Sequence, residues 1–511
     1  MRRISLPPQI TAADSADVDR LKSTDRTPAA PKENIMLMLT SLADARMQQD
    51  ADPRRAKDLV FARAQLVASS TDAFISLASH PAGEPQVATT RRGLLSGIPF
   101  AVKDNIDAAG LPTTAGTKAL NHNFPRQNAH VVQQLLDAGA YLVGKTNMHE
   151  LGLGVTSNNR FYGPVRHPGD RSLSPGGSSG GSAVAVASGV VPFALGTDTG
   201  GSVRIPAAFC GIVGFRPTVG RYSTEGLIQI SWTRDTIGVL AGCVADIIAV
   251  DDVLTPNDSM YTELDSYDLR LGVPRSDFYD DLDPEVADVV EAALEELAQS
   301  GVKLIEVDMG APCEDALKSG FPIVDFETEK AVTKYLESLP VADRPTFEML
   351  AATAASPDVH RLLLQLLTEP VSPEAYAAAL ELRDRLRETY RDVFSGSGVQ
   401  ALIYPSVVTT APPISDENVL NHNGRTVDVL RTLVKNATPA AVAGTPAISV
   451  PCGTTTRGMS VGLTLDGLMG SDRVVLSAAA TVEAILRRPA NDGLRAASAE
   501  QVLTADKRLL P

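Results

Sequence analysis

Disulfide, metal, membrane and nucleic-acid signals are all missing from this chain of 511 residues, and each absence excludes a class of function. The four cysteines, Cys210, Cys243, Cys313 and Cys452, form no C-x-x-C pair. That spacing argues against a zinc site or disulfide framework and for reduced structural thiols in a reducing compartment. His149-Glu150 opens like a zinc motif, but no second histidine follows at the H-E-x-x-H spacing, so no metal is expected. No apolar run is long enough to span a bilayer, and no membrane association is expected. Arg2-Arg3 is followed by Pro7, Pro8, Asp14, Asp17 and Asp19 instead of the apolar core of an export signal, which makes a cytoplasmic protein the expectation. A formal charge of −15 leaves no general surplus of cations for phosphates, so nucleic acid is not an expected partner. No internal repeat appears, and no Pro/Gly-rich linker divides the chain.

What the chain does contain is a lysine and two glycine-rich serine loops. Lys103 ends the apolar run Ile98-Pro99-Phe100-Ala101-Val102, which reads as a buried strand delivering the lysine inward. The loops are Gly176-Gly177-Ser178-Ser179-Gly180-Gly181-Ser182 and Gly196-Thr197-Asp198-Thr199-Gly200-Gly201-Ser202-Val203-Arg204. Glycines leave backbone N–H groups accessible and let a substrate carbonyl approach the main chain, as a tetrahedral oxyanion requires. A serine becomes nucleophilic when a base takes its proton, and a lysine can do so once burial or its neighbours lower its pKa. Asp198 and Arg204, flanking the second loop, read as a buried ion pair that fixes its geometry.

At these residues the sequence resembles the amidase signature family. The stretch Gly97-Ile98-Pro99-Phe100-Ala101-Val102-Lys103-Asp104-Asn105 looks like that family's lysine motif, and the two serine loops look like its signature block. The resemblance runs over residues 93–234 and returns over 437–465, including Gly444-Thr445-Pro446-Ala447. It implies Ser202 as nucleophile, Ser178 as a serine with a cis peptide that relays protons, and Lys103 as base. It also implies an oxyanion hole from the N–H groups of Thr199, Gly200 and Gly201, with that of Ser202. Neither cofactor nor metal is implied.

Along the chain, residues 1–32 read as a mobile extension and 33–511 as one domain: helices over 33–90, the signature core over 91–240, then the remaining sheet and a substrate-shaping region over 241–511. Apolar spacing predicts helices over 35–47 and 53–67 that cover a sheet edge. Asn128 is expected to cap a helix carrying Val131, Val132, Leu135 and Leu136, ended by Gly139. The run from Ala183 to Gly189 reads as a tightly buried helix whose N-terminus points at the first serine loop. Strand 269–273, helix 283–300 and strand 302–307 make a βαβ unit. A charged helix over 373–394 leads to strand 401–404. The fold class is therefore α/β: a single large domain with a central mixed β-sheet covered by helices.

Two motif matches read as accidents. Gly139 to Thr146 fits the phosphate-loop pattern G-x-x-x-x-G-K-[ST], but a helix precedes it and a strand fills it. Gly176-Gly177-Ser178-Ser179-Gly180 fits the G-x-S-x-G nucleophile elbow, but the polar, proline-limited Asp170 to Pro175 precedes it instead of a strand. His360 and His422 could serve a Ser/His/Asp reading only formally.

For substrate, Met148 to Leu151, Thr156 to Asn159, Gly163 to Arg166, and the stretch from Arg221 to Thr236 look most like mandelamide and indoleacetamide hydrolases. The resemblance implies a small arylacetamide-type amide. Anilides, carbamates and a glutamine-dependent amidotransferase subunit stay open as alternatives, as does a homodimer.

Overall fold

The computed structural model describes residues 38–78, 93–259, 261–341 and 344–487. The extension expected at 1–32, residues 35–37 and the stretch 79–90 lie outside the described residues, and the helix expected over 35–47 is corrected to one that starts only at Leu42, where Ser41 caps it by accepting the Asp44 N–H, and runs on to Ala51. Two helices come first, α1 (Leu42–Ala51) and α2 (Pro53–Thr71). Asp52 caps α2 by accepting the Arg55 N–H, and Pro53 occupies the first turn, where its missing N–H costs nothing. Such a cap contributes about 1 kcal/mol.

Eleven strands form one mixed sheet: β1 (Phe74–Leu77), β2 (Pro99–Lys103), β3 (Tyr141–Thr146), β4 (Phe193–Asp198), β5 (Val213–Arg216), β6 (Thr236–Ala241), β7 (Arg270–Val273), β8 (Lys303–Glu306), β9 (Ala401–Pro405), β10 (Ala447–Thr454) and β11 (Ser460–Asp466). Across the sheet the order is β1-β3-β2-β4-β6-β5-β10-β11-β9-β7-β8. Strands β3, β2 and β4 run parallel, as do β9, β7 and β8 at the other end, while the strands between them pair antiparallel. Helix α2 packs over β1 and β3 at the sheet edge, as expected. The central strands are buried throughout and mostly apolar, so both faces of the sheet are covered.

The expected cap of α3 (His130–Asp137) is corrected. Ala129 stands at its N-cap without a side-chain bond, and Asn128 Oδ1 accepts the Ala109 N–H at 2.8 Å instead. A neighbouring loop competed for the same short polar side chain and won. The phosphate-loop match falls as predicted, with 141–146 a strand behind α3 and Lys145 fully buried in an ion pair with Asp104 at 3.2 Å.

Helix α4 (Gly180–Ala187) is buried along its length except at Ala187. It sits so close to its neighbours that a Cβ on Gly181 would lie 2.3 Å from the Asn147 carbonyl oxygen and 2.4 Å from that of Ala73. Helix α5 (Arg204–Cys210) follows the second serine loop. The βαβ unit closes as expected: Asp283 caps α6 (Pro284–Gln299), and β8 then pairs parallel with β7. Between β8 and β9 the chain builds α7 (Pro312–Ser338), α8 (Phe347–Thr353), α9 (Pro357–Thr368) and α10 (Pro373–Ser397). This helical layer has its own apolar cluster, in which Val332, Leu336, Leu350, Val359 and Leu363 meet Leu151 and Ile228 from the signature core.

Candidate active site

Strand β2 carries Lys103 into the interior at zero exposure. Its Nζ lies 2.8 Å from Ser178 Oγ and 2.6 Å from Thr197 Oγ1. Burial pulls the amine down from its ordinary range to about 7, against the upward pull of Asp235 and Asp198. At neutral pH a large fraction is therefore uncharged and able to accept a proton.

Ser178 follows a cis peptide bond from Gly177. Its carbonyl oxygen accepts the Ser157 hydroxyl at 3.3 Å and the His149 N–H at 3.2 Å, and the same Ser157 oxygen accepts the Gly180 N–H at 3.1 Å. The next residue joins the two loops. Ser179 N–H donates to the Ser202 carbonyl at 3.1 Å, while Ser179 Oγ donates to the Thr197 carbonyl and accepts the Thr197 N–H, both at 3.2 Å. Lys103, Ser178 and the Ser202 loop are thus one connected hydrogen-bonded unit.

The second loop is held from beneath by Asp198. Its carboxylate accepts Arg204 Nε and Nη2 at 3.0 Å each and Arg216 Nη1 at 3.1 Å. Burial alone would raise this carboxyl, but the two guanidinium groups hold it well below the usual carboxylate range. The expected Asp198–Arg204 pair is therefore a buried triad with Arg216. Asp235 braces the loop from another side, accepting the Thr199 hydroxyl at 2.5 Å and the N–H groups of Ile230 and Ser231 at 2.8 and 3.0 Å.

One expectation changes here. The Gly201 N–H donates to Asp198 Oδ1 at 2.9 Å, so it is already engaged in holding the loop and is not a free donor. Gly201 also has φ +117, and a Cβ there would lie 2.5 Å from that of Ala437, which explains the glycine by conformation and space. The N–H groups of Thr199, Gly200 and Ser202 have no acceptor among the described residues.

These three residues line a cavity of about 160 Å³. Its other side chains are mostly apolar: Leu153 and Val155 from the loop before the first serine motif, Ile230 from the loop before β6, Phe321 and Val324 from α7, Leu362 from α9, and Leu430 and Val434. The Ser178 hydroxyl adjoins the same wall, 3.7 Å from where a Cβ on Gly152 would stand. Arg234 and Asp325 are the charged residues of the lining.

Several functional positions were not singled out from sequence. Thr197 and Asn105, whose Nδ2 donates to Thr197 Oγ1 at 3.2 Å, lie inside the quoted motifs without a signal of their own. Ser157, at φ +53, is visible only as part of a polar stretch. Among residues of the substrate-related stretches, Arg234 reaches the cavity, whereas Arg221 binds Asp251 and Asp258 in a separate ion-pair network. His149 pairs with Asp358 at 2.9 Å. His360 and His422 bond the carbonyls of Ala351 and Asp281, apart from the serine loops. Asp170 to Pro175 contains no strand, so the nucleophile-elbow reading has no structural support.

Residues 58–476 match the family model described as Amidase. An indoleacetamide hydrolase of Agrobacterium vitis is 40% identical over 393 residues, 76% of this chain and 83% of that protein. A mandelamide hydrolase of Pseudomonas putida is 40% identical over 412 residues, 77% and 79% of the two chains. Among solved structures, a crystal structure of an amidase superposes with a TM-score of 0.77 at 32% identity, covering 87% of this chain and all of that one.

Proposed function

The chain belongs to the amidase family, and from that premise we propose that it cleaves a small arylacetamide-type carboxamide to the carboxylate and ammonia through Ser202, Ser178 and Lys103. The observation that carries this reading is Lys103 Nζ, buried, drawn down to about 7 and 2.8 Å from Ser178 Oγ. The apolar cavity over Ser202 supports a ring-bearing acyl group, and the relatives' indoleacetamide and mandelamide substrates agree with it.

Neutral Lys103 takes the Ser178 proton as Ser178 takes that of Ser202, and Ser202 Oγ attacks the amide carbon. The N–H groups of Thr199, Gly200 and Ser202 receive the oxyanion. The relay then returns a proton to the nitrogen, the C–N bond breaks, and ammonia leaves. Water, deprotonated by the same relay, hydrolyses the ester to the free acid and restores Ser202. The free thiols at Cys210, Cys243, Cys313 and Cys452 support a reducing, cytoplasmic setting.

The test is ammonia release from arylacetamides, aliphatic amides and glutamine by the isolated protein and by Ser202→Ala. Release from arylacetamides, reduced at least about 10⁴-fold in the variant, is the expected result. Release from glutamine alone would replace this reading with an amidotransferase subunit.

A further inference from the structure

Fully buried carboxylates among the described residues are bonded. Asp198, Asp235, Glu327, Asp466 and Asp472 each accept at least two hydrogen bonds from protein donors. Asp325 differs. It is partly buried on α7, has no hydrogen bond and no ion pair to any described residue, and lines the cavity that contains Ser202. A partly desolvated carboxylate that faces a binding cavity and has no protein donor can take its donor from the ligand.

The helix aims it there. Phe321, Val324 and Asp325 fall on one face by their spacing of three and four residues, and all three line the cavity. Two apolar side chains therefore flank the carboxylate, which offers a ring-bearing group a single polar anchor. The lining also contains Arg234, whose Nη1 is committed to the Gly320 carbonyl at 2.6 Å. Burial pushes the Asp325 carboxyl up to about 6, with Arg234 pulling the other way, so it remains largely ionised at neutral pH. Because Arg234 offsets the charge of Asp325, the pocket carries no net charge to draw in a cation, and a neutral donor suits it better than an ammonium.

We propose that Asp325 is the acyl-selecting residue: its carboxylate accepts a hydrogen bond from a neutral N–H or O–H on the acyl group, so donor-bearing arylacetamides are preferred over plain hydrocarbon ones. The assignment rests on the arylacetamide reading above. It adds the residue that reads the acyl group and the chemical feature it reads.

The experiment compares kcat/KM within two matched pairs, indole-3-acetamide against naphthalene-1-acetamide and 4-hydroxyphenylacetamide against phenylacetamide. Wild-type enzyme is expected to favour the donor-bearing member of at least one pair by about 10- to 100-fold, the scale of a hydrogen bond to a charged acceptor. Asp325→Leu brings that ratio to within about 2-fold of unity, and Asp325→Asn, which keeps an acceptor oxygen, retains an intermediate preference. Equal kcat/KM within both pairs for the wild type, or an unchanged preference in Asp325→Leu, overturns the assignment and leaves the arylacetamide reading standing. Should Asp325→Leu not fold, an unchanged ratio in Asp325→Asn overturns it equally. No ammonia from any of the four amides overturns both readings together.

Discussion

On one side of the cavity, the backbone from Thr199 to Ser202 is held by two buried carboxylates, two guanidinium groups and a bonded neighbouring loop. On the other, α7 and α9 present Phe321, Val324, Asp325 and Leu362, side chains without a hydrogen bond to the rest of the protein. The first side is built from charges whose positions are over-determined. The second depends on shape, with a single carboxylate left open. On the proposed mechanism the difference separates two tasks, because an oxyanion site must not relax during the reaction, whereas an acyl pocket can change with its helices and leave the chemistry intact. The helical wall is tied to the core at a few points, such as Glu150 accepting the N–H groups of Ala355 and Ser356, and His149 paired with Asp358.

The largest contrast should come from Lys103. Lys103→Ala removes the proposed proton acceptor and is expected to lower kcat by about 10²–10⁴-fold, the usual span for general-base catalysis. The sign of the pH effect follows from the lowered pKa: below about 7 the amine is protonated and cannot accept, so kcat/KM falls with acidity and levels off above that value. A pH–rate profile of the wild type measures this, and activity that stays flat down to about pH 5 would rule out a lysine base. The next largest effect is on stability. Asp198→Asn leaves Arg204 and Arg216 facing a neutral amide at zero exposure, with an expected loss of about 3–5 kcal/mol in denaturant unfolding. A loss below about 1 kcal/mol would mean that the over-determination of the core side is only apparent.

The same contrast governs what the sequence made legible. Lys103, both serine loops and the buried α4 could be read directly, because close backbone approach demands glycine and a buried strand demands an unbroken apolar run. Gly201 was expected to donate to the oxyanion, but its N–H serves Asp198, a three-residue bond that no motif spells out. Asn128 was expected as a cap by residue type, but its side-chain oxygen accepts the Ala109 N–H of a neighbouring loop. The cavity wall was hidden for a different reason. An apolar stripe on a helix looks the same whether it meets other side chains or an empty space, and α7 and α9 are more than a hundred residues from Ser202 in the chain. Arg234 fell within a quoted stretch, yet nothing in that stretch distinguished it from Arg221, which points into an ion-pair network.

The smallest effect tests the shape-dependent side by itself. Leu362 lines the cavity and only its partly buried flank packs against the cluster, whereas Val359, Leu363 and Leu366 on the same helix are buried within the cluster that holds α9 in place. Leu362→Ala should therefore leave the fold nearly untouched, within about 1 kcal/mol by thermal or denaturant unfolding. It removes roughly two methylene equivalents of apolar contact, about 1–2 kcal/mol, which would appear as a 5- to 30-fold rise in KM for an arylacetamide. Uniform loss of ground-state and transition-state binding leaves kcat unchanged. If kcat fell as far as in Lys103→Ala, α9 would be holding the reacting groups as well as the ring, and the division between a rigid chemical side and an adaptable acyl side would fail.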